Sequence, residues 1–129
     1  MSAGGNTIIE SLGVYLPPRV VSTRETLARC RKKVWFPIEE LTGIRSVHMA
    51  GDDEFAIDLA KRAVADCLER SRVQPEEIDL LISCNISHCD GPGFRYTFEP
   101  STAARLQAHF GFSRALVFDI SNACPGMFA

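Results

Sequence analysis

Two helical patterns alternate with two continuous apolar runs in the second half of this chain, and that alternation limits the available folds more than any other feature. Residues 51–71, GDDEFAIDLAKRAVADCLERS, place Ala56, Leu59, Ala60, Ala63, Val64, Cys67 and Leu68 at three- and four-residue steps. That is the period of an amphipathic helix. Asp52 or Asp53 is expected to cap it, with the acids of its first turn favouring the helix dipole. Ile78 to Ser83 is then a short apolar run and reads as a buried strand. PSTAARLQAHFGF reads as a helix from about Pro100, closed by Gly111. RALVFDIS reads as a second buried strand. Strands that are apolar throughout need cover on both faces. The expected class is therefore an α/β layered fold with a mainly parallel sheet and flanking helices.

The first half is shorter in its elements. TIIESLGVYLP alternates imperfectly and stops at Pro17-Pro18, so it reads as a first strand. STRETLARCRKK opens with Ser22 and has Glu25 three positions on, the spacing of a capping box at a helix start. WFPIEELTG reads as a short helix, with Pro37 in its first turn and Gly43 at its end. IRSVHMA reads as a short strand, and HCDGPGFRYTFE, with its helix and strand breakers, as a loop. Ser2 to Gly5 reads as a loose end.

At 129 residues a single domain is the default, and a net charge of −2 with no basic stripe gives nucleic-acid binding no electrostatic support. No apolar run approaches the length of about 18 residues that a membrane helix needs. MSAGGNTIIE lacks the basic and apolar regions of a signal peptide, so the expected compartment is the cytosol. The five cysteines, an odd number, are then read as thiols rather than as a disulfide framework.

One of those thiols has a distinctive place. In FDISNACPGMFA, Cys124 follows an apolar strand and precedes Pro125, pre-set for the first turn of a helix, and Gly126, which lets backbone approach closely. A thiol at a strand-to-helix turn sits near unpaired N–H groups and partial positive charge. Both favour the nucleophilic thiolate, and the same N–H groups can hold an oxyanion. The carboxyl ends of strands are also where open α/β sheets build their sites. On physics alone the alternative stands beside this one: Cys124 as a small buried hydrophobe.

DISNACPGM resembles the nucleophile segment of the thiolase-superfamily condensing enzymes, most closely the β-ketoacyl-ACP synthase III group. Other stretches resemble that group in the same order: IIESLGVYLPPRVVS its opening strand, LTGIRSVHMA its Thr-Gly-Ile-Arg segment, DLAKRAVADCLERSRVQPEEIDLLISCNIS its long helix and following strand, and EPSTAARLQAHFG the helix before the nucleophile strand. The resemblance implies a thiolase-like N-terminal half-domain over residues 1–129, with Cys124 as nucleophile. It implies an acyltransferase that takes an acyl group from a coenzyme A thioester. That group is then joined to a malonyl-type extender or a second acyl thioester, in fatty acid or polyketide-type biosynthesis. No metal or separate cofactor is implied. The partners implied are acyl-CoA, possibly an acyl carrier protein, and a second copy in a homodimer. The group's histidine and asparagine come from a C-terminal half that these residues do not include. The expectation is that this chain is a fragment or one piece of a split enzyme, close to inactive alone, with apolar surface for a partner half to cover.

Two stretches depart from the pattern. The group holds coenzyme A with a Trp and an Arg just before Thr-Gly-Ile-Arg; here Leu41 stands at the Arg position and Trp35 is displaced by two residues. Trp35 remains the substrate-binding candidate, and Arg45 is given a structural role. In TFEPSTAA, Phe98 and Pro100 flank Glu99. The resemblance sets this loop at the dimer interface, near the partner's acyl channel, and makes Phe98 a substrate-binding candidate. Glu99 is there similar to the base that olefin-type head-to-head condensing enzymes supply from the partner subunit. Its other reading is an exposed acid ahead of a helix. His48, His88 and His109 are read as surface or packed histidines. Cys84, His88 and Cys89 lack the paired spacing of a zinc site. Cys67 is assigned to the core and Cys30 has no assignment. Besides the condensing-enzyme reading stand two rivals: an olefin-type enzyme, and a non-catalytic half that only pairs with another chain.

Overall fold

The computed structural model describes residues 7–86, 88–90, 93 and 95–122, with backbone alone for Cys89 and Asp90. It divides into two units, residues 16–54 and the remainder.

The unit of residues 16–54 is built on an antiparallel pair, β1 (Arg19–Ser22) and β2 (Ser46–Met49), in register from Arg19 opposite Met49 to Ser22 opposite Ser46. Helices α1 (Thr23–Ala28) and α2 (Ile38–Thr42) lie between them in sequence. Ser22 caps α1 as its spacing predicts: its hydroxyl accepts the Glu25 N–H at 3.1 Å. The Glu25 carboxylate pairs with Arg29 one turn on, at 2.5 Å. The helix stops at Ala28, short of the basic residues that the sequence pattern had included. Thr23 locks the start of α1 onto the approach to β2, its N–H donating to Arg45 O at 2.9 Å and its hydroxyl to Ile44 O at 2.6 Å. Pro17, Val21 and Thr23 are buried here.

The other unit carries the parallel sheet. Strands β3 (Leu80–Cys84) and β6 (Leu116–Ile120) run parallel, Leu80 opposite Leu116 through Cys84 opposite Ile120. Between them come a short antiparallel pair, β4 (Cys89–Asp90) with β5 (Arg95–Tyr96), and helix α4 (Thr102–Phe110). The β4–β5 pair lies within the stretch read as a loop; two residues a side are too few for a period to register in sequence. Helix α4 returns the chain from β3 to β6, as a parallel connection requires. It buries Ala103 and Leu106, and Phe112 and Ala115 beyond its end are buried with them. Burying Leu106 contributes about 2 kcal/mol. Gly111 ends α4 at φ 73°, a left-handed turn that glycine takes without steric cost. Gln107 fixes the turn by donating to Phe112 O at 3.1 Å and Ala115 O at 2.8 Å.

Helix α3 (Ala56–Arg70) matches its periodic pattern, but its cap does not come from Asp52 or Asp53. The chain enters through Phe55, whose N–H donates to the Asp58 carboxylate at 3.1 Å, so an acid inside the first turn reaches back to close the end. Cys67 is half-buried rather than core, its Sγ 3.2 Å from Ser11 Oγ.

The expected first strand is not one: residues 7–17 pair with no other strand. They are tied instead to α3 and its end. Val14 N–H donates to Asp66 at 2.8 Å, and Glu10 accepts from the Ser71 hydroxyl at 2.7 Å and Arg72 N–H at 2.9 Å. Gly13 makes this approach possible. A Cβ there would lie 2.5 Å from Cys67 Cβ and nearer still to Cys67 N and Ala63 O. Backbone atoms of a helix cannot yield to it. Gly13→Ala is expected to lower stability by about 2–3 kcal/mol in urea unfolding, or to free residues 7–15 for early proteolysis.

These ties also set an acid limit. The Ser71 hydroxyl, then the Arg72 N–H, hold the Glu10 carboxyl below its ordinary 4.5. The Val14 N–H, with Arg70 beside it, holds Asp66 below its ordinary 3.8. Carboxyls depressed in the folded state stabilise it fully above those ordinary values and lose the effect as pH falls through the folded ones. Amide exchange protection of Val14 and Arg72 should therefore be level above about pH 5 and fall steadily below about pH 4. An unchanged protection ratio at about pH 3 would contradict the assignment.

One face of the β3–β6 pair is open. Leu80, Ile82, Leu116 and Phe118 are 40 to 67% exposed, where a parallel strand is normally covered on both faces. The apolar run implies burial; among the described residues the face toward α4 is half-buried.

Candidate active site

The carboxyl ends of β3 and β6 are the place where a parallel sheet presents chemistry, and here they gather polar side chains. Asp119, in the apolar run of β6, turns its carboxylate to the start of α4. It accepts Thr102 N–H and Ala103 N–H, both at 2.8 Å. The Ser101 hydroxyl takes the Ala104 N–H at 3.1 Å. Three of the unpaired donors of the helix end are thus satisfied, two by an ion on the neighbouring strand, and its charge is well placed for the helix dipole.

Past the strand ends, Asn85 N–H donates to Ile120 O at 3.2 Å, prolonging the sheet by one bond. Its side-chain Nδ2 donates to Ser83 Oγ at 2.8 Å. His88 is buried, with Nε2 2.7 Å from Ser121 Oγ and its ring against Phe98, centroids 4.9 Å apart. Phe98 stacks in turn on Tyr96 at 6.2 Å and is 64% exposed. Glu99, next to it, is exposed and joined to Pro100 by a cis peptide bond. The loop that carries Phe98 and Glu99 thus lies beside the residues that close β6.

Cys124 lies outside the described residues, three positions beyond Ser121 in sequence. So do the Cys89 side chain and the helix expected from Pro125. Trp35 belongs to the other unit, 89% exposed, its ring edge-on to Phe36 at 5.4 Å. Phe36 and Pro37 of that unit line a cleft of about 270 Å³ with Thr23, Leu27 and Ile38; Trp35 does not line it. Arg45 is exposed and contributes its carbonyl to the start of α1. His48 and His109 are surface histidines, the first with Nδ1 2.6 Å from Pro17 O and the second edge-on to Phe110. Cys30, Cys67 and Cys84 are free thiols. Among the described residues no group of His, Cys, Asp or Glu is arranged to hold a metal ion, and no helix is long and apolar enough to cross a membrane.

The roles of Asp119, Asn85, His88 and Ser121 were not foreseen from the sequence. Only Asp119 left a trace: a charge in an otherwise apolar strand needs a partner, and a Ser-Thr helix start offers unpaired N–H groups.

No protein-family model matches the chain. It is 37% identical over 120 residues to a β-ketoacyl-[acyl-carrier-protein] synthase III of Rhodospirillum centenum, covering 93% of this chain and 35% of the relative. To the protein of the same name from Symbiobacterium thermophilum it is 38% identical over 118 residues, covering 92% and 33%. Among solved structures, the 3-oxoacyl-[acyl-carrier-protein] synthase III of Aquifex aeolicus superposes with a TM-score of 0.74 at 29% identity, over 92% of this chain and 36% of that one. The priming β-ketosynthase of the R1128 polyketide pathway gives 0.74 at 29%, over 92% and 33%. OleA of Xanthomonas campestris gives 0.72 at 23% identity, a likeness of fold. The chain spans about a third of the length of the relatives it matches. The matched segments run through α3 and the parallel β3–α4–β6 unit, and over that length the chain is similar to β-ketoacyl-ACP synthase III proteins and shares the thiolase-like α/β fold of their solved structures.

Proposed function

We propose that the protein is an acyltransferase in which Cys124 takes an acyl group from a coenzyme A thioester for condensation to a β-ketoacyl product. The observation that carries this is the 37% identity, over nearly the whole chain, to a β-ketoacyl-[acyl-carrier-protein] synthase III. In the first step Cys124 Sγ⁻ attacks the thioester carbonyl, the acyl C–S bond to Sγ forms, and the bond to coenzyme A breaks with release of its thiolate. In the second, the C–C bond to the carboxylate of a malonyl-type carrier breaks with loss of CO2, the carbanion so formed attacks the acyl-enzyme carbonyl to make the new C–C bond, and the acyl C–Sγ bond breaks to return the Cys124 thiolate. Dividing the transfer this way replaces one difficult step by two easier ones. The resemblance assigns the histidine and asparagine for the second step to another part of a longer fold. The open face of β3 and β6 is an apolar surface of the kind such a layer covers. We extend the proposal to acyl carrier protein as partner, a homodimer, and a cytosolic setting.

Glu99 favours a second reading, head-to-head condensation of two acyl thioesters with Glu99 of a partner subunit as the base. Its exposure beside Phe98 suits contact across subunits. The test is the intact mass of the natural full-length protein after exposure to acyl-coenzyme A, with the adduct mapped by peptide. One acyl mass on the Cys124 peptide supports the transferase. Subsequent release by malonyl carrier protein supports the first reading, and by a second long acyl thioester the other. No adduct overturns both and leaves a pairing half without chemistry of its own.

A further inference from the structure

We propose that His88 is a positioning residue for the segment bearing Cys124, acting through Ser121; the inference rests on the reading of Cys124 as nucleophile. The turn after β3 holds two consecutive residues at the end of β6. Asn85 N–H bonds Ile120 O at 3.2 Å, and His88 Nε2 bonds Ser121 Oγ at 2.7 Å. Ser121 is itself exposed, so its hydroxyl has water available and does not need the imidazole to be satisfied.

The imidazole is a costly way to fill its site. His88 is only 6% exposed, and among the described residues its Nδ1 has no hydrogen-bond partner; neither has the buried Oδ1 of Asn85. Orphaned buried polar atoms are uncommon in folded proteins and each calls for a reason. A leucine would pack against Phe98 with no nitrogen left unpaired. What the histidine adds, and a hydrocarbon does not, is the bond to Ser121. That bond bridges 33 residues of sequence and ends three residues before the thiol. The backbone of His88 is fixed as well, its carbonyl accepting Thr97 N–H at 2.8 Å, so the imidazole reaches Ser121 from a held position. Among the described residues, its ring meets Phe98 in a tilted contact and Ser121 by hydrogen bond, and neither carries a charge. A misplacement of about 1 Å at a reacting group costs on the order of a hundredfold in rate, so a tie of this kind acts on acyl transfer without touching substrate.

The experiment uses the natural full-length protein and follows acylation of Cys124 from acyl-coenzyme A by time-resolved intact mass, alongside iodoacetamide alkylation and thermal unfolding. His88→Ala and Ser121→Ala are each expected to slow acylation about ten- to a hundredfold at saturating substrate, with the half-saturating concentration unchanged. The double variant should be no slower than the worse single one, because both remove the same bond. His88→Gln, whose amide nitrogen can reach Ser121 Oγ, should recover most of the rate. Alkylation should stay within about twofold, since the thiol's own reactivity is not what the bond controls. Unchanged acylation in Ser121→Ala, a replacement at an exposed site that tests the bond even where His88→Ala fails to fold, overturns the proposal. So does a double variant whose loss is the product of the two, or a fall in alkylation that parallels acylation, which would make His88 a direct partner of the thiol. A wild-type protein that takes no acyl group sinks the Cys124 reading and this inference together, whereas an acylated wild type with an indifferent Ser121→Ala sinks this inference alone.

Discussion

The Cys124→Ala protein is expected to gain no acyl mass from a coenzyme A thioester, under conditions in which the natural protein is fully loaded. Removing the nucleophile from a covalent mechanism removes the intermediate itself, and losses on the order of 10⁶ in turnover follow when no other group can take its place. Alanine keeps the volume close to that of the thiol, so folding should be little affected and the two melting curves should overlay. Among the described residues Cys30 and Cys84 are exposed free thiols and Cys67 packs against Ser11. A mass gain that persists in Cys124→Ala would assign the transfer to one of the other cysteines and overturn the assignment. The same variant separates the catalytic reading from the scaffold one. A complex that keeps full condensation activity with alanine at 124 uses this chain only as a pairing half.

Asp119→Ala should lower stability by about 2–4 kcal/mol in urea unfolding. One carboxylate takes two backbone N–H groups at the N-terminus of α4, each at 2.8 Å. A hydrogen bond to a charged group contributes about 1.5–3 kcal/mol, and leaving the donors of a half-buried helix end unpaired adds to the loss. Water and the intact Ser101 cap recover part of it, which sets the range below the simple sum. Asp119→Asn keeps one acceptor oxygen and loses the charge, so its stability should fall between those of the natural protein and Asp119→Ala. The effect should reach the site as well. Asp119 fixes the corner that carries Phe98 and Glu99 relative to β6, the strand that leads to Cys124. A urea midpoint unchanged by Asp119→Ala would show that the helix end finds other partners and that the clamp is not what holds this corner.

Period and residue chemistry carry information over short stretches of chain and lose it over long ones. The period of α3, the apolar runs of β3 and β6 and the Gly111 stop were all readable from the sequence, because each follows from contacts within a few residues or from a single face needing cover. Ser22 as a cap was readable for the same reason: a hydroxyl three residues before an N–H is a local geometry. Residues 7–17 misled, because alternation signals an extended chain but not whether another strand lies beside it. The cap of α3 misled too, since Asp52, Asp53 and Asp58 are equally good acceptors and only the path of the chain through Phe55 chooses among them.

The amino-acid order by itself determined the α/β class and the family likeness carried by DISNACPGM, both of which depend on residue type at fixed short spacing. Tertiary structure alone decided that Gly13 seats the first segment on α3, that Asp119 caps a helix 16 residues upstream, and that His88 reaches Ser121 across 33 residues. Those pairings join groups whose separation along the chain carries no signal. They arise from the packing of the first segment on α3 and from the parallel register of β3 and β6, which brings the turn after one strand to the end of the other.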